Sequence, residues 1–189
     1  MDRKRTLFLI EVAVCAALAY LLDLVSGFIF SRLWPQGGNV SIAMVPVILM
    51  AIRWGLKGGL LTGFLFGLLQ IAIGMPQVYH PVQGFIDYFL AFTVVGSAGI
   101  FSKQIKESFQ QGNKKRQISL ITAATFIGGG LRFLAHFFTG WIFFGSYAPK
   151  GTPAVLYSIV YNATYMVPSI ILSIIFVYLV IQSSPRRML

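Results

Sequence analysis

Long apolar runs separated by short polar segments dominate the chain. The first run, from about residue 6 to 30, is long enough as a helix to cross about 30 Å of hydrocarbon. Further runs predict helices over about 40–54, 58–74, 84–101, 118–145 and 154–182. The pattern therefore predicts an all-α integral membrane protein, with six transmembrane helices forming a single domain over residues 1–189.

The basic residues are distributed unevenly between the polar segments. Twelve of the fifteen Lys and Arg residues fall at the N-terminus, in the turn at 53–57, in the polar stretch 103–117 and at the C-terminal end. Arg32 and Lys150 lie on the opposite side, and Arg132 lies inside the fifth predicted helix. By the positive-inside rule, both termini of this multi-pass membrane protein are expected in the cytoplasm.

Composition excludes several classes of protein. With 57% hydrophobic residues, 11% charged residues and a mean hydropathy of +0.77, the chain is not an ordinary soluble domain. The net charge of +10 is confined to short clusters between apolar runs, which argues against nucleic-acid binding. A single cysteine, two separated histidines and the lack of a GxxxxGK[ST] motif predict no metal site, no cofactor, no enzymatic activity and no ATP hydrolysis by this chain itself.

Candidate binding residues concentrate between residues 131 and 162. Arg132, His136 and Gly140 share one helical face because they recur every four residues. Tyr157 and Asn162 follow a turn at 148–153. Polar groups inside a membrane are costly, so these side chains are expected to face a cavity.

The predicted topology brings four polar residues to one depth. Asp87, His136, Tyr157 and Asn162 would each lie within about 5 to 15 Å of the outer membrane boundary, given a rise of about 1.5 Å per residue. The loops above them contribute aromatic and amide side chains, namely Trp34, Gln36, Tyr79, Phe144 and Tyr147. An aromatic pocket with one carboxylate, open to the outside, suits a small, flat, cationic ligand.

Each candidate has a structural alternative. Asp87 can instead pair with Arg132, and His136 can be a core residue with satisfied hydrogen bonds. Tyr157 and Asn162 can link helices through hydrogen bonds. Trp34 can belong to the aromatic belt at the membrane interface.

Over nearly its whole length, the sequence resembles the thiamine-specific substrate-binding S component of energy-coupling factor (ECF) transporters. The resemblance is most specific in the Gly-Ser-Tyr-Ala-Pro-Lys-Gly turn at 145–151, in His136, in the Tyr157 to Asn162 spacing and in the Asp87-Tyr88 pair. Ala13 and Ala17 match the AxxxA motif of the first helix in this family.

The resemblance implies that thiamine is captured outside the cell. Asp87, His136, Tyr157 and Asn162 would contact the ligand, while Trp34 and Tyr88 would help to enclose it. Gly140 belongs to the same face as His136, and Phe144 stands where family members carry a tryptophan that stacks on the ligand.

The family's partners follow from the same resemblance. Ala13 and Ala17 would dock on a transmembrane coupling subunit that works with two ATPase subunits. A stand-alone proton-coupled secondary transporter is the alternative, with Glu11, Asp23 and Asp87 as a possible relay.

Overall fold

The computed structural model describes residues 3–35, 37–74 and 76–183, and these residues form helices and no strand. Five helices are long and apolar enough to cross a membrane. They are α1 (Arg3–Phe30), α2 (Met44–Ile73), α3 (Pro81–Gln110), α4 (Lys114–Phe143) and α5 (Ala154–Ser183). The predicted all-helical architecture is confirmed.

The second helix is interrupted at Gly55, where φ of 72° and ψ of −165° leave the helical region. Glycine adopts a positive φ at little steric cost, which explains the residue type at this break. The sequence predicted two helices, over 40–54 and 58–74, with a short connection between them, whereas the structure leaves helical geometry at Gly55 only.

Side-chain contacts define the path of the chain on both sides of this break. Arg53, at the end of the first half of α2, binds Glu11 near the start of α1. Gln70, near the end of the second half, binds Asp23, which is twelve residues farther along α1. Asn39, just before α2, also lies against Asp23. Between residues 39 and 70, the chain therefore runs along α1 from the level of Asp23 to the level of Glu11, and then returns to the level of Asp23.

Glycines let the second half of α2 pack closely on α3. A Cβ atom at Gly63 would lie 2.2 Å from the carbonyl oxygen of Phe92, and one at Gly67 would lie 2.2 Å from that of Tyr88. No larger residue fits at either position without separating the backbones. The two helices thus form a tight contact through the small residues of α2.

The third helix is longer than predicted. The sequence predicted a polar loop over 103–117, but residues Ser102–Gln110 are helical. This segment is amphipathic: Ile105 and Ser108 are buried on one face, and the charged side chains lie on the other faces. The connection shrinks to 111–113, and the Asn113 side chain caps α4 by accepting a hydrogen bond from the Arg116 N–H at 3.1 Å. Nearer its start, α3 contains a π-helical segment, Phe85–Leu90.

One end of the bundle gathers basic residues. Lys106 donates a hydrogen bond from Nζ to the carbonyl oxygen of Arg53 at 2.7 Å, which joins the end of α3 to the break in α2. Glu11 anchors the same end by accepting from Arg53 and from the indole N–H of Trp54 at 2.6 Å. Arg186 and Arg187, the two basic residues at the C-terminal end that were predicted on the same side, lie outside the described residues.

The first helix buries only a narrow face. Val12, Ala16 and Ala19 pack inward, whereas Ala13 and Ala17 lie on the exposed side. This alanine pair therefore does not pack inside the described part of the bundle. The remaining exposed face of α1 is apolar, as expected for a helix in contact with lipid or with another membrane protein.

Candidate ligand-binding site

At the end of the bundle away from Glu11, a cavity of about 260 Å³ lies among all five long helices. Its size is near the lower end of the range for small-molecule pockets. Its wall includes eight of the residues predicted at the binding site: Trp34, Asp87, Tyr88, His136, Gly140, Phe144, Tyr157 and Asn162. The structure thus brings these eight residues together, and their binding role remains a prediction.

Asp87 is held from three directions. His136 Nδ1 lies 2.9 Å from its Oδ1, and Thr139 donates to the same oxygen at 2.6 Å. Gln83 Nε2 donates to Oδ2 at 2.7 Å. An ionised carboxylate offers about four acceptor positions, so about one remains for a ligand. The π-helical turn that carries Asp87 is of a kind often found at functional sites.

His136 stands between Asp87 and Arg132. The Arg132 Nε–H donates to His136 Nε2 at 3.3 Å, which requires a lone pair on that nitrogen. The imidazole is therefore the neutral tautomer that carries its proton on Nδ1 and donates to Asp87. The direct pair of Asp87 with Arg132, considered from the sequence, is not formed, because His136 is interposed.

Arg132 itself is buried, with 6% of its surface exposed, and its guanidinium carbon lies 4.6 Å from the centre of the Phe92 ring. It forms none of the ion pairs found among the described residues.

Asn162 and Gly140 join α4 to α5 at the cavity wall. The Asn162 amide donates to the carbonyl oxygens of His136 at 3.3 Å and Ser158 at 2.9 Å, and its Oδ1 accepts from the Tyr165 hydroxyl. Asn162 is thus an interhelical link, and its Oδ1 keeps a second acceptor position for a ligand donor. A Cβ at Gly140 would lie 2.3 Å from Ser158 Oγ, so glycine permits this close approach.

Trp34 and Tyr88 form part of the wall from opposite sides. The Trp34 indole N–H donates to Thr164 Oγ1 on α5 at 2.7 Å, and its ring meets Tyr165 edge to face at 6.0 Å. Trp34 thus packs on α5, and its position in the aromatic belt at the membrane interface stays a prediction. The Tyr88 hydroxyl accepts from the Gln77 N–H at 2.8 Å, which ties the 76–80 segment to α3.

The aromatic residues near the end of α4 take two different positions. Phe144 lines the cavity, whereas Tyr79 and Tyr147, also expected in the wall, are outside the lining and contact Phe144 at ring distances of 5.4 and 6.2 Å. Tyr157 lines the cavity beside Tyr161, 5.6 Å away. Gln36, the remaining loop residue expected here, lies outside the described residues.

Sequence reasoning missed two groups of cavity residues. Gln83 and Thr139 lie four residues before Asp87 and three after His136, so helical spacing provided a local signal for both. Asn39 and Gln70 meet Asp23 from separate parts of the chain, and no local signal predicts that meeting. Asp23 had been considered only as part of a proton relay.

This chain is similar to known proteins both in sequence and in fold. The family model described as thiamine transporter protein matches residues 9–189. Thiamine transporter ThiT of Bacillus subtilis (strain 168) is 48% identical over 183 residues, covering 97% of this chain and 94% of that protein. ThiT of Lacticaseibacillus paracasei is 28% identical over 188 residues, covering 98% of this chain and 92% of that protein.

The fold also matches a solved structure of ThiT from Listeria monocytogenes, with a TM-score of 0.88 at 32% identity and coverage of 98% of this chain and 99% of that one. Sequence and fold thus agree over almost the entire length, and the chain belongs to the thiamine transporter protein family.

Proposed function

We propose that the protein binds thiamine from outside the cell as the S component of an ECF-type importer in the bacterial plasma membrane. The observation that carries the proposal is the cavity in which a carboxylate fixed by three donors faces aromatic walls, in a chain whose relatives are named thiamine transporters. The match to a ThiT structure over 98% of this chain supports the same conclusion.

The chemistry of the cavity suits thiamine. Its thiazolium carries a fixed positive charge, which aromatic faces and a carboxylate both attract. Asp87, His136, Tyr157 and Asn162 are proposed to contact the ligand. The enclosing residues are proposed to be Trp34, Tyr88, Gly140 and Phe144, of which Gly140 keeps the wall close and the others supply aromatic surface.

The proposed topology has six membrane spans and both termini in the cytoplasm. Its support is the reversal of the chain within α2, which makes that helix two antiparallel segments. The hydrogen bond from Lys106 to Arg53 adds support, because it gathers the basic segments at one end, as the positive-inside rule expects of the cytoplasmic side.

The proposed partners are a transmembrane coupling subunit and two ATPase subunits. Ala13 and Ala17 are small and exposed on α1, which allows a partner helix to approach closely. The sequence carries no P-loop motif, so ATP hydrolysis would be supplied by the partner subunits.

The positions of the carboxylates argue against a stand-alone proton-coupled carrier. Glu11 is bound by Arg53 and Trp54 at the basic end of the bundle. Asp23 is twelve residues away on the same helix, which corresponds to about 18 Å. The two groups are too far apart to exchange a proton directly.

Titration of thiamine into the detergent-solubilised wild-type protein tests the binding function, with intrinsic tryptophan fluorescence, to which Trp34 in the cavity wall contributes, as the reporter. Saturable binding supports the proposal, and a folded protein that binds no thiamine contradicts it. Uptake of labelled thiamine in cells with and without co-expressed ATPase subunits tests coupling. Uptake that persists without those subunits would favour the stand-alone carrier.

A further inference from the structure

A second carboxylate, Asp23, reaches the same cavity from α1. Its Oδ2 accepts from Gln70 Nε2 at 2.5 Å. The Asn39 amide, oriented so that both its ends are satisfied, donates to Asp23 Oδ1 at 3.3 Å and accepts from the Gly27 N–H at 3.3 Å. Both side-chain partners of the carboxylate are neutral amides, so they hold its position without neutralising its charge.

Arg132, also in the cavity wall, is a buried cation that forms no ion pair with any residue that the structure describes. Its Nε is occupied by His136, and the face of its guanidinium covers Phe92. A charge at this depth is costly unless an opposite charge compensates it. Asp23 and Asp87 both line the cavity that Arg132 lines, but His136, which stands between Asp87 and Arg132, binds Asp87, whereas Asp23 is held by neutral amides only.

The ionised groups of the wall leave one negative charge in excess. The cavity contains two carboxylates and one guanidinium, and the hydrogen-bond directions make His136 neutral, so the formal charge of the lining is −1. A ligand with one positive charge would complete the balance. Without the Asp23 charge, the lining would be neutral and a cation would gain no net attraction.

We propose that Asp23 is the charge-balancing residue of the binding site: it compensates Arg132, so that the charge of Asp87 is left for the ligand and the site selects cations. The inference rests on the proposed binding of thiamine and adds a specificity-determining position on α1. It assigns Asp23 an electrostatic role that acts through Arg132, rather than a contact with the ligand.

The first test is Asp23→Asn. The substitution is nearly isosteric, and Gln70 and Asn39 can keep hydrogen bonds to the new side chain by rotating their amide groups. Thiamine affinity is expected to fall on the order of tenfold to a hundredfold, the scale of one unit charge acting across a partly desolvated cavity. The neutral isostere of thiamine, in which thiophene replaces the thiazolium, should bind nearly as well to the variant as to the wild type. Glu107→Gln, an exposed carboxylate on α3 outside the cavity, is the matched control and should change neither affinity.

The second test adds Arg132→Met in a double-mutant cycle. If Asp23 acts through Arg132, removing the guanidinium from the Asp23→Asn variant should recover most of the lost thiamine affinity. Additive losses would overturn the proposal, because they would mean that Asp23 acts independently of Arg132.

The outcomes separate this inference from the proposed function. A folded wild-type protein that binds no thiamine would refute both. Wild-type binding that Asp23→Asn leaves unchanged would refute only the role of Asp23. An equal loss of thiamine and of the neutral isostere would also refute it, since Asp23 would then shape the wall rather than set its charge.

Discussion

Replacing Asp87 by asparagine tests how the site recognises its ligand. The carboxylate accepts from His136 and Thr139 on Oδ1 and from Gln83 on Oδ2. An asparagine has one oxygen, so in either orientation its amide nitrogen faces at least one existing donor. The variant loses both the negative charge and at least one hydrogen bond.

The expected loss of thiamine binding follows from these contacts. A charge-assisted hydrogen bond contributes about 1.5 to 3 kcal/mol. Since 1.4 kcal/mol corresponds to tenfold in affinity, Asp87→Asn should weaken binding by about tenfold to a hundredfold. Asp87→Glu is the matched control, because it keeps the charge.

The measurement is isothermal titration calorimetry of thiamine binding to both variants in detergent. Thermal unfolding checks that each variant is folded. The Asp87→Asn variant should bind thiamine clearly less tightly than the Asp87→Glu variant. A folded Asp87→Asn variant with wild-type affinity would refute the reasoning, because the fixed carboxylate would then serve the helix packing and not the ligand.

Four further substitutions test other parts of the molecule. Ala13→Leu or Ala17→Leu should leave thiamine binding intact but abolish uptake, since both side chains are exposed on α1; normal uptake by both variants would exclude docking there. Gly140→Ala should lower stability by about 1 to 3 kcal/mol, because the new Cβ would meet Ser158 Oγ at 2.3 Å, and an unchanged melting temperature would contradict this packing. Glu11→Ala removes the acceptor of three hydrogen bonds at the basic end, so the melting temperature should fall while thiamine affinity stays the same; weakened binding would show that the two ends are coupled.

The sequence alone was sufficient to determine the class of fold and most helix positions. The last predicted helix, 154–182, is Ala154–Ser183 in the structure, and the one predicted over 118–145 is Lys114–Phe143. Hydropathy is informative here because hydrocarbon offers no partners for backbone polar groups, which therefore must be satisfied within helices. Polar side chains at one depth, such as Asp87 and His136, were also found from helix direction and rise.

Only the tertiary structure decided how those polar groups pair. His136 separates Asp87 from Arg132, and Asp23 meets Gln70 on a neighbouring helix. Such pairings depend on how each helix is rotated about its axis and how closely its neighbours approach, which glycine contacts between backbones determine. The periodicity of a single helix records which residues share its face. It carries no information on which face of another helix lies opposite, and that arrangement determines the charge and the hydrogen bonds of the cavity.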